Sequence, residues 1–300
     1  MFVVENYPAA IFCCLVTMLC WGSWANTTRL ADKNWRFELF YWDYAFGTFL
    51  MILALGLTAG SFGDRGRTLA TDVAQAEWGP IGSALLGGAV FNAANILLVA
   101  AIDIAGMAVA FPVGIGLALV LGVVLNYWFD PLGNPLLLFT GVALIVAAMI
   151  CAALAQRRRP GEEKAVGAKG LALSLVSGIL MGSFYRFVAA SMSSDFDHLE
   201  AGKLGPYAAL LFFAAGLLAS NFVFNTVLMR WPIRGSALTA ADYFRGTPRD
   251  HLCGLAGGAT WAVGMTLSIV AAGQAGFAIS YGLGQGATLV AACWGVFIWR

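Results

Sequence analysis

The amino-acid sequence predicts an all-α integral membrane protein made of two copies of one helical unit. Three observations support this prediction: hydrophobic residues make up 60% of the 300 and charged residues 11%, apolar runs follow one another along the whole chain, and the second half repeats the first. A soluble domain usually carries about 25% charged residues to cover its surface. With a mean hydropathy of +0.79, this chain is expected to lie in lipid.

Nine segments have the composition of membrane-spanning helices, which need about 18 or more mostly apolar residues. They lie near residues 8–28, 38–59, 79–102, 105–128, 135–156, 169–190, 206–229, 250–272 and 275–299. The opening stretch MFVVENYP lacks the positively charged start of a signal peptide, so the first segment counts as a membrane helix.

The second half of the chain matches the first in a register that chance apolar similarity would not hold. At a shift of 170 positions, residues 85–120 align without a gap with residues 255–290, and Gly-Gly, Gly106 and Gly-x-Gly all meet their own kind. At a shift of 160, residues 15–24 match residues 175–184. Because an odd number of helices separates the copies, the second is inverted in the membrane. Inverted repeats are typical of secondary transporters, which bind solute near the midplane; a duplicated scaffold or channel is the alternative.

The predicted organisation is a first repeat at 1–156 with helices 1 to 5, a basic linker at 157–168, and a second repeat at 169–300 with helices 6 to 9. The repeat pattern calls for a tenth helix, which would begin past Arg300. Twelve Lys and Arg residues fall on one side of the predicted membrane against three on the other. The positive-inside rule therefore places the linker in the cytoplasm and the N-terminus outside. The expected location is the bacterial inner membrane or the plasma membrane.

Polar and aromatic side chains within the spans are the candidate binding residues, because a polar group in lipid usually faces a cavity or a partner. The candidate substrate-binding residues are Trp21, Ser23, Trp24, Asn26, Asn92, Asn95, Phe184, Trp261, Tyr281 and Gln285. Asn221 and Asn225, one helical turn apart, form a further polar pair. For each asparagine, an interhelical hydrogen bond is the alternative. Amides and aromatic rings that converge from both repeats suit a neutral polyhydroxyl or amide-bearing solute.

Two helices are predicted to be interrupted at matching depths. Pro112 precedes Gly114-Ile115-Gly116 in helix 4, and Gly284-Gln285-Gly286 occupies the equivalent place in helix 9. A proline inside a helix frees a backbone carbonyl, and glycine loosens the helix without that loss. Interrupted segments at corresponding positions of two repeats are typical of a transporter binding site.

Glu38, Asp43 and Arg186 are the candidate ion-coupling or gating residues. Asp43 lies between two aromatic residues, and a cavity with aromatic walls would favour its protonated form, as a proton-coupling site needs. Alternatively, Asp43 pairs with Arg29 or Arg36 as a structural gate at the cytoplasmic mouth. Arg186 either extends to the outer surface or meets an acidic group. An Arg186 that faces the pocket would favour a ureide or nucleobase over a sugar.

Several classes of protein find no support in the sequence. There is no glycine-rich phosphate loop, and the two histidines, His198 and His251, are expected in loops, so catalysis and ATP-driven transport are not indicated. The net charge of +1 and the scattered basic residues give no nucleic-acid surface. The six cysteines lack metal-ligand spacing. We therefore expect a protein that is not an enzyme, with no bound metal and no cofactor other than a coupling proton or another cation.

The segments CWGSWANTTRL (20–30) and FELFYWDYAFG (37–47), together with the inverted duplication, resemble the drug/metabolite transporter superfamily. The resemblance is to its sugar-uptake branch, with glucose/ribose porters and the L-rhamnose proton symporter, and the plant ureide permeases are neighbours. It implies a fold of ten helices that carries a small solute with protons or another cation. The nine helices found here depart from that pattern.

We therefore expect a secondary active transporter that works by alternating access, with sugar uptake coupled to protons as the main hypothesis. A ureide or nucleobase permease, or a drug or metabolite exporter of the same fold, is the alternative, and a non-transporting membrane scaffold is the competing class. The expected partners are a small-molecule solute and the lipid bilayer, with a homodimer left open and no nucleic acid.

Overall fold

The computed structural model describes residues 1–63, 65–157, 168–233 and 235–298 as a bundle of apolar helices. The helices are α1 (Tyr7–Ser23), α2 (Phe37–Leu57), α3 (Leu69–Gln75), α4 (Trp78–Ala105), α5 (Met107–Ala110), α6 (Gly116–Phe129), α7 (Pro135–Arg157), α8 (Ala168–Ser191), α9 (Pro206–Arg230), α10 (Ala240–Tyr243), α11 (Pro248–Ala275), α12 (Phe277–Gly284) and α13 (Ala287–Cys293). A 3-10 segment, Trp24–Arg29, continues α1. The all-α membrane fold predicted from the sequence is confirmed.

Eight segments of the described ranges are long and apolar enough to cross a membrane. They are Tyr7–Arg29, Phe37–Leu57, Trp78–Ala105, Pro112–Phe129, Ala168–Ser191, Pro206–Arg230, Pro248–Ala275 and Phe277–Ile298. The remaining predicted span, 135–156, forms α7, whose apolar part is Pro135–Cys151. Most of the predicted linker, residues 158–167, lies outside the described residues.

Local sequence explains where the long helices begin and end. The Asn6 side chain accepts a hydrogen bond from the Ala9 N–H at 2.9 Å and caps α1. Thr247 and Asp250 form a capping box at the start of α11. At their other ends, α4 and α11 stop at Gly106 and Gly276, whose φ angles of 80° and 84° suit glycine. These two glycines occupy equivalent positions of the predicted repeat.

The two interruptions predicted in helices 4 and 9 are present. Helix 4 is α5 and α6 joined by a π-helical turn at Phe111–Ile115, and helix 9 is α12 and α13 separated at Gln285 and Gly286. The glycines beside the breaks allow close packing: a Cβ added at Gly284 would lie 2.7 Å from the Trp21 ring. Backbone irregularity in lipid is tolerated where it is buried in protein or lines a cavity.

The central helices cross closely at glycines that come in matched pairs. A Cβ added at Gly88 of α4 would overlap the carbonyl oxygen of Phe213 in α9, and one added at Gly258 of α11 would overlap that of Tyr44 in α2. The reciprocal contacts are Gly216 against Leu85 and Gly47 against Leu255. The crossing of α4 with α9 is thus repeated by that of α11 with α2, as expected of two copies of one unit. The boundaries of the two repeats stay a prediction.

Candidate functional site

Six aromatic rings from six helices meet in the middle of the bundle, and we call them the central aromatic cluster. Its members are Trp21, Tyr44, Phe91, Phe184, Phe213 and Trp261, from α1, α2, α4, α8, α9 and α11. The rings of Phe91 and Trp261 are 4.5 Å apart. These two residues are 170 positions apart and so are equivalent in the repeat. Their contact therefore lies where an axis relating the two halves would pass.

The central aromatic cluster contains buried polar atoms that have no protein partner. The Trp21 ring stacks on Trp261 at 6.0 Å, and the Tyr44 ring lies 6.4 Å from Trp261. Among the described residues, the Trp21 Nε1 and the Tyr44 hydroxyl make no hydrogen bond: the Thr48 side chain lies close enough to act on Tyr44, but its hydroxyl donates to the Gly258 carbonyl oxygen at 3.3 Å. Leaving a buried polar atom unsatisfied costs about 1–3 kcal/mol. Such atoms in a closed, aromatic-walled centre are candidates for contact with a polar solute.

Four asparagines line the contact of α2, α4 and α9, next to the central aromatic cluster. Their Nδ2 groups join helices in three cases. Asn92 donates to the Ser220 Oγ at 2.9 Å, Asn95 to the Tyr41 hydroxyl at 3.1 Å, and Asn225 to the Glu38 carbonyl oxygen at 2.8 Å. The Oδ1 atoms of Asn92 and Asn225, and both polar side-chain atoms of Asn221, have no partner in the described structure. The interhelical bonds weighed as the alternative are thus present, yet they leave acceptors unused.

The structure places the other candidates from the sequence in separate roles. Phe184 is buried in the central aromatic cluster, 5.0 Å from the Phe91 ring, and Trp24 lies beside it, 4.7 Å from the Tyr44 ring. Tyr281 is buried but donates to the carbonyl oxygens of Met181 and Ala118 at 3.1 and 3.3 Å. Its hydroxyl therefore joins α12 to α8 and α6 rather than facing a solute.

Ser23, Asn26 and Gln285 lie at helix ends and breaks, away from the ring contacts. The Ser23 Oγ accepts from the Trp294 Nε1 at 2.9 Å, and the Asn26 Nδ2 donates to the Ser23 carbonyl oxygen at 3.0 Å. Gln285 is half-buried at the break between α12 and α13. Their placement supports structural roles at the ends of α1 and α12.

The gate predicted for Asp43 has different partners from the ones expected. The Asp43 carboxylate accepts a hydrogen bond from the Tyr243 hydroxyl at 2.6 Å and lies 2.9 Å from the His251 Nδ1. Of the two arginines proposed as its partner, Arg36 instead pairs with Glu38 at 2.5 Å, and Arg29 forms no ion pair with Asp43 within the described residues. His251 lies in the first turns of α11 and not in a loop, so that expectation was wrong. Burial and the carboxylate of Asp43 raise the pKa of Tyr243, which keeps it a donor.

Sequence reasoning missed Tyr243 and His251 because both act 200 or more positions away from Asp43. A signal for Tyr243 was available: Thr239 and Asp242 form a capping box, which orders the short helix α10 that ends at Tyr243. For His251, the signal is its place three residues after Pro248, within the first turns of a helix that the same analysis predicted.

Arg186 lies at the opposite end of the bundle from Asp43, beside a small cavity. Its guanidinium group sits 4.2 Å from the centre of the Phe129 ring, and Asp130 is the acidic group that acts on it. Burial raises the pKa of Asp130, and the Arg186 charge opposes that shift. The cavity, of about 170 Å³, is also lined by Glu200 and Lys203. Arg186 therefore lies near the end of its helix against the Phe129 ring, within the electrostatic influence of Asp130, and outside the central aromatic cluster.

Comparisons with known proteins agree on one group of transporters. A family model described as Ureide permease matches residues 40–169, which include α2 to α7 except the first turn of α2. The chain is 22% identical over 308 residues to Ureide permease 3 of Arabidopsis thaliana, covering 91% of this chain and 90% of that protein. It is 21% identical over 362 residues to Ureide permease 2 of the same plant, covering 99% and 91%.

A shorter match reaches a second plant. The chain is 28% identical over 153 residues to Probable ureide permease A3 of Vigna unguiculata, covering 49% of this chain and 40% of that protein. All of these proteins are named permeases. The comparisons support a membrane transporter for a small polar solute rather than an enzyme, and they favour the ureide alternative over sugar uptake: along most of its length, the chain is similar to ureide permeases.

Proposed function

We propose that this protein is a secondary transporter for a neutral, amide-rich heterocyclic solute of the ureide or nucleobase type. The observation that carries the proposal is the pair of unpartnered polar atoms, the Trp21 Nε1 and the Tyr44 hydroxyl, whose rings both contact Trp261 in the central aromatic cluster. The similarity to ureide permeases supports the same class of solute.

The chemistry of the centre suits a ureide. A cyclic ureide presents N–H donors and C=O acceptors around a small ring, so its flat face stacks on an indole while its edge is hydrogen-bonded. The Trp21 Nε1 supplies a donor, the Asn92 Oδ1 an acceptor, and the Tyr44 hydroxyl either. No charge is needed at the centre, which agrees with a neutral solute. A sugar would use the same donors and acceptors, but the comparisons favour the ureide.

The packing supports transport by alternating access. In this conformation the rings of the central aromatic cluster are in contact, so a solute enters only when these ring contacts open at one end. Glycine crossings, Gly88 on Phe213 and Gly258 on Tyr44, join α4 to α9 and α11 to α2, each pair taking one helix from each repeat. We infer that these pairs move as units and that the ring contacts between them open.

A ligand panel on the purified protein tests this proposal. A solute that binds only the folded state stabilises it, by about 2.7 kcal/mol at a concentration 100 times its Kd. We expect allantoin, a cyclic ureide, and uracil to raise the melting temperature in detergent, and glucose and rhamnose to leave it unchanged. A higher melting temperature with the sugars alone would contradict the proposal and favour sugar uptake. An unchanged melting temperature with all four solutes would also contradict the proposal.

A further inference from the structure

Asp43 stands at the meeting point of three elements near the end of the bundle that carries Arg36 and Arg245, which we call the basic end. Its carboxylate is 3% exposed and touches the Tyr243 hydroxyl of α10 and the His251 imidazole of α11. The close approach of α11 depends on Gly254, where an added Cβ would overlap that of Asp43. The three side chains therefore form one polar contact between α2 and the second half of the chain, in which Asp43 is buried and Tyr243 and His251 are half-buried.

The charge on this contact is incomplete as long as His251 is neutral. The Tyr243 hydroxyl and a neutral imidazole donate hydrogen bonds without positive charge, so the buried carboxylate keeps its full charge. Apart from His251 and Tyr243, the titratable group that acts on Asp43 is Asp250, which adds negative charge. Asp250 is held by its capping box with Thr247, so it is not a donor. One proton on His251 would turn the contact into a neutral ion pair, and a buried charge without that compensation is strongly destabilising.

Basic side chains near Asp43 are engaged elsewhere. Arg36 forms its ion pair with Glu38 on the same helix and also donates to the Ser236 carbonyl oxygen at 2.6 Å. Within the described residues, His251 is the only side chain that makes an ion-pair contact with Asp43. A proton on His251 is therefore the positive charge that would balance the Asp43 carboxylate.

The residues at the equivalent positions of the repeat cannot form this contact. The positions equivalent to Asp43 and His251 are Phe212, at a shift of 169, and Ile81, at a shift of 170, and Val73 is equivalent to Tyr243. All of these equivalents are apolar. The equivalent positions at the other end of the bundle therefore do not repeat the contact of Asp43 with Tyr243 and His251, although that end has polar contacts of its own, such as the Gly205 N–H with Asp72 at 2.7 Å.

We propose that Asp43 and His251 together bind the proton that drives uptake, with Tyr243 as a positioning residue, so that the pair binds a proton while the basic end is closed and releases it when that end opens. This inference rests on the proposed transport function. When the basic end is closed and the opposite end is open, the uncompensated carboxylate is buried, and the pair takes up a proton from the solvent on the opposite side. When the basic end then opens to water, the carboxylate is solvated, and the proton leaves His251 for the solvent at the basic end.

Transport measurements separate coupling from movement of the solute. In proteoliposomes of Asp43→Asn and His251→Gln, we expect accumulation of allantoin driven by a pH gradient to be lost, while counterflow exchange without a gradient persists. Tyr243→Phe should keep coupled uptake but move its pH profile to higher pH, because the carboxylate loses a donor. Accumulation that survives in either the Asp43 or the His251 variant would overturn the proposal, and so would a folded variant that loses exchange and accumulation together.

Asp195→Asn is the matched control. Asp195 forms an exposed contact with His198 at 3.0 Å, the same pair of residue types at nearly the same distance as Asp43 and His251. Its substitution should leave both exchange and coupled accumulation unchanged. A loss of coupling in this variant equal to that of Asp43→Asn would show that the effect is not specific to the buried pair.

A measurement without any solute keeps the proton site testable on its own. The Trp35 ring meets the His251 ring edge-on, with centroids 5.3 Å apart, so a proton on His251 should quench Trp35 emission. In the purified protein we expect emission to fall on acidification, and this change to vanish in Trp35→Phe, Asp43→Asn and His251→Gln. If the emission of the unchanged protein does not vary with pH, the proposed proton site is wrong. If emission responds while no solute is exchanged, the transport function fails and the proton site stands.

Discussion

Two tyrosines one helical turn apart show how a single hydrogen bond separates a structural residue from a binding residue. Tyr41 and Tyr44 are both buried and stack on each other at 5.2 Å. The Tyr41 hydroxyl accepts from Asn95, whereas the Tyr44 hydroxyl has no hydrogen-bond partner in the described structure. The first is part of the packing of α2 on α4, and we propose that the second contacts the solute.

This difference predicts opposite outcomes for the same substitution. Tyr44→Phe should leave the melting temperature unchanged or higher and weaken ureide binding by about tenfold, the equivalent of one lost hydrogen bond. Tyr41→Phe should lower the stability by about 1–3 kcal/mol, because the Asn95 Nδ2 is left without its acceptor. Thermal unfolding and ligand titration of both variants check this. A Tyr44→Phe protein that binds ureide as tightly as the unchanged protein would remove Tyr44 from the site.

At the scale of the helices, glycine decides which elements touch. Gly88 and Gly258 face backbone atoms of the neighbouring helix, which cannot move aside as the end of a flexible side chain can. Without a hydrophobic drive between helices in lipid, such close approach is the main source of packing energy. The crossing of α4 with α9 is equivalent in the repeat to that of α11 with α2, so the two glycine positions should respond alike.

Gly88→Ala and Gly258→Ala should each lower the melting temperature in detergent strongly, and by similar amounts. Gly82→Ala, in the same helix as Gly88, is the matched control, since an added Cβ there meets nothing within 4 Å. Because alanine favours a helix over glycine by about 1 kcal/mol, this variant should be neutral or more stable. If the variants at Gly88 and Gly258 were as stable as the control, the matched crossings would not hold the bundle together.

At the scale of the whole molecule, the features predicted from the sequence are those that depend on local composition. The spans follow from apolar runs, and the interruptions near Pro112 and Gly284 follow from residue types that loosen any helix. Asp43 was singled out for the same reason, as a carboxylate inside an apolar run.

The partners of these residues depend on how distant helices cross, and the sequence alone does not determine that. Glu38 forms an ion pair with Arg36, two residues before it, so this arginine does not pair with Asp43. His251 reaches Asp43 only because α11 lies against α2 at Gly254. The class of solute was equally beyond the sequence: the same rings and amides suit a sugar or a ureide, and similarity to ureide permeases favours the second.

The central claim is that a ureide crosses the membrane through the central aromatic cluster. Counterflow in proteoliposomes of the purified protein measures this most directly, with radiolabelled allantoin outside and unlabelled allantoin inside. We predict saturable exchange that uracil inhibits and glucose does not. The half-saturating concentration of allantoin should be higher in Tyr44→Phe and unchanged in the folded fraction of Tyr41→Phe. Exchange of glucose but not of allantoin, or allantoin exchange that Tyr44→Phe leaves untouched, would contradict the account.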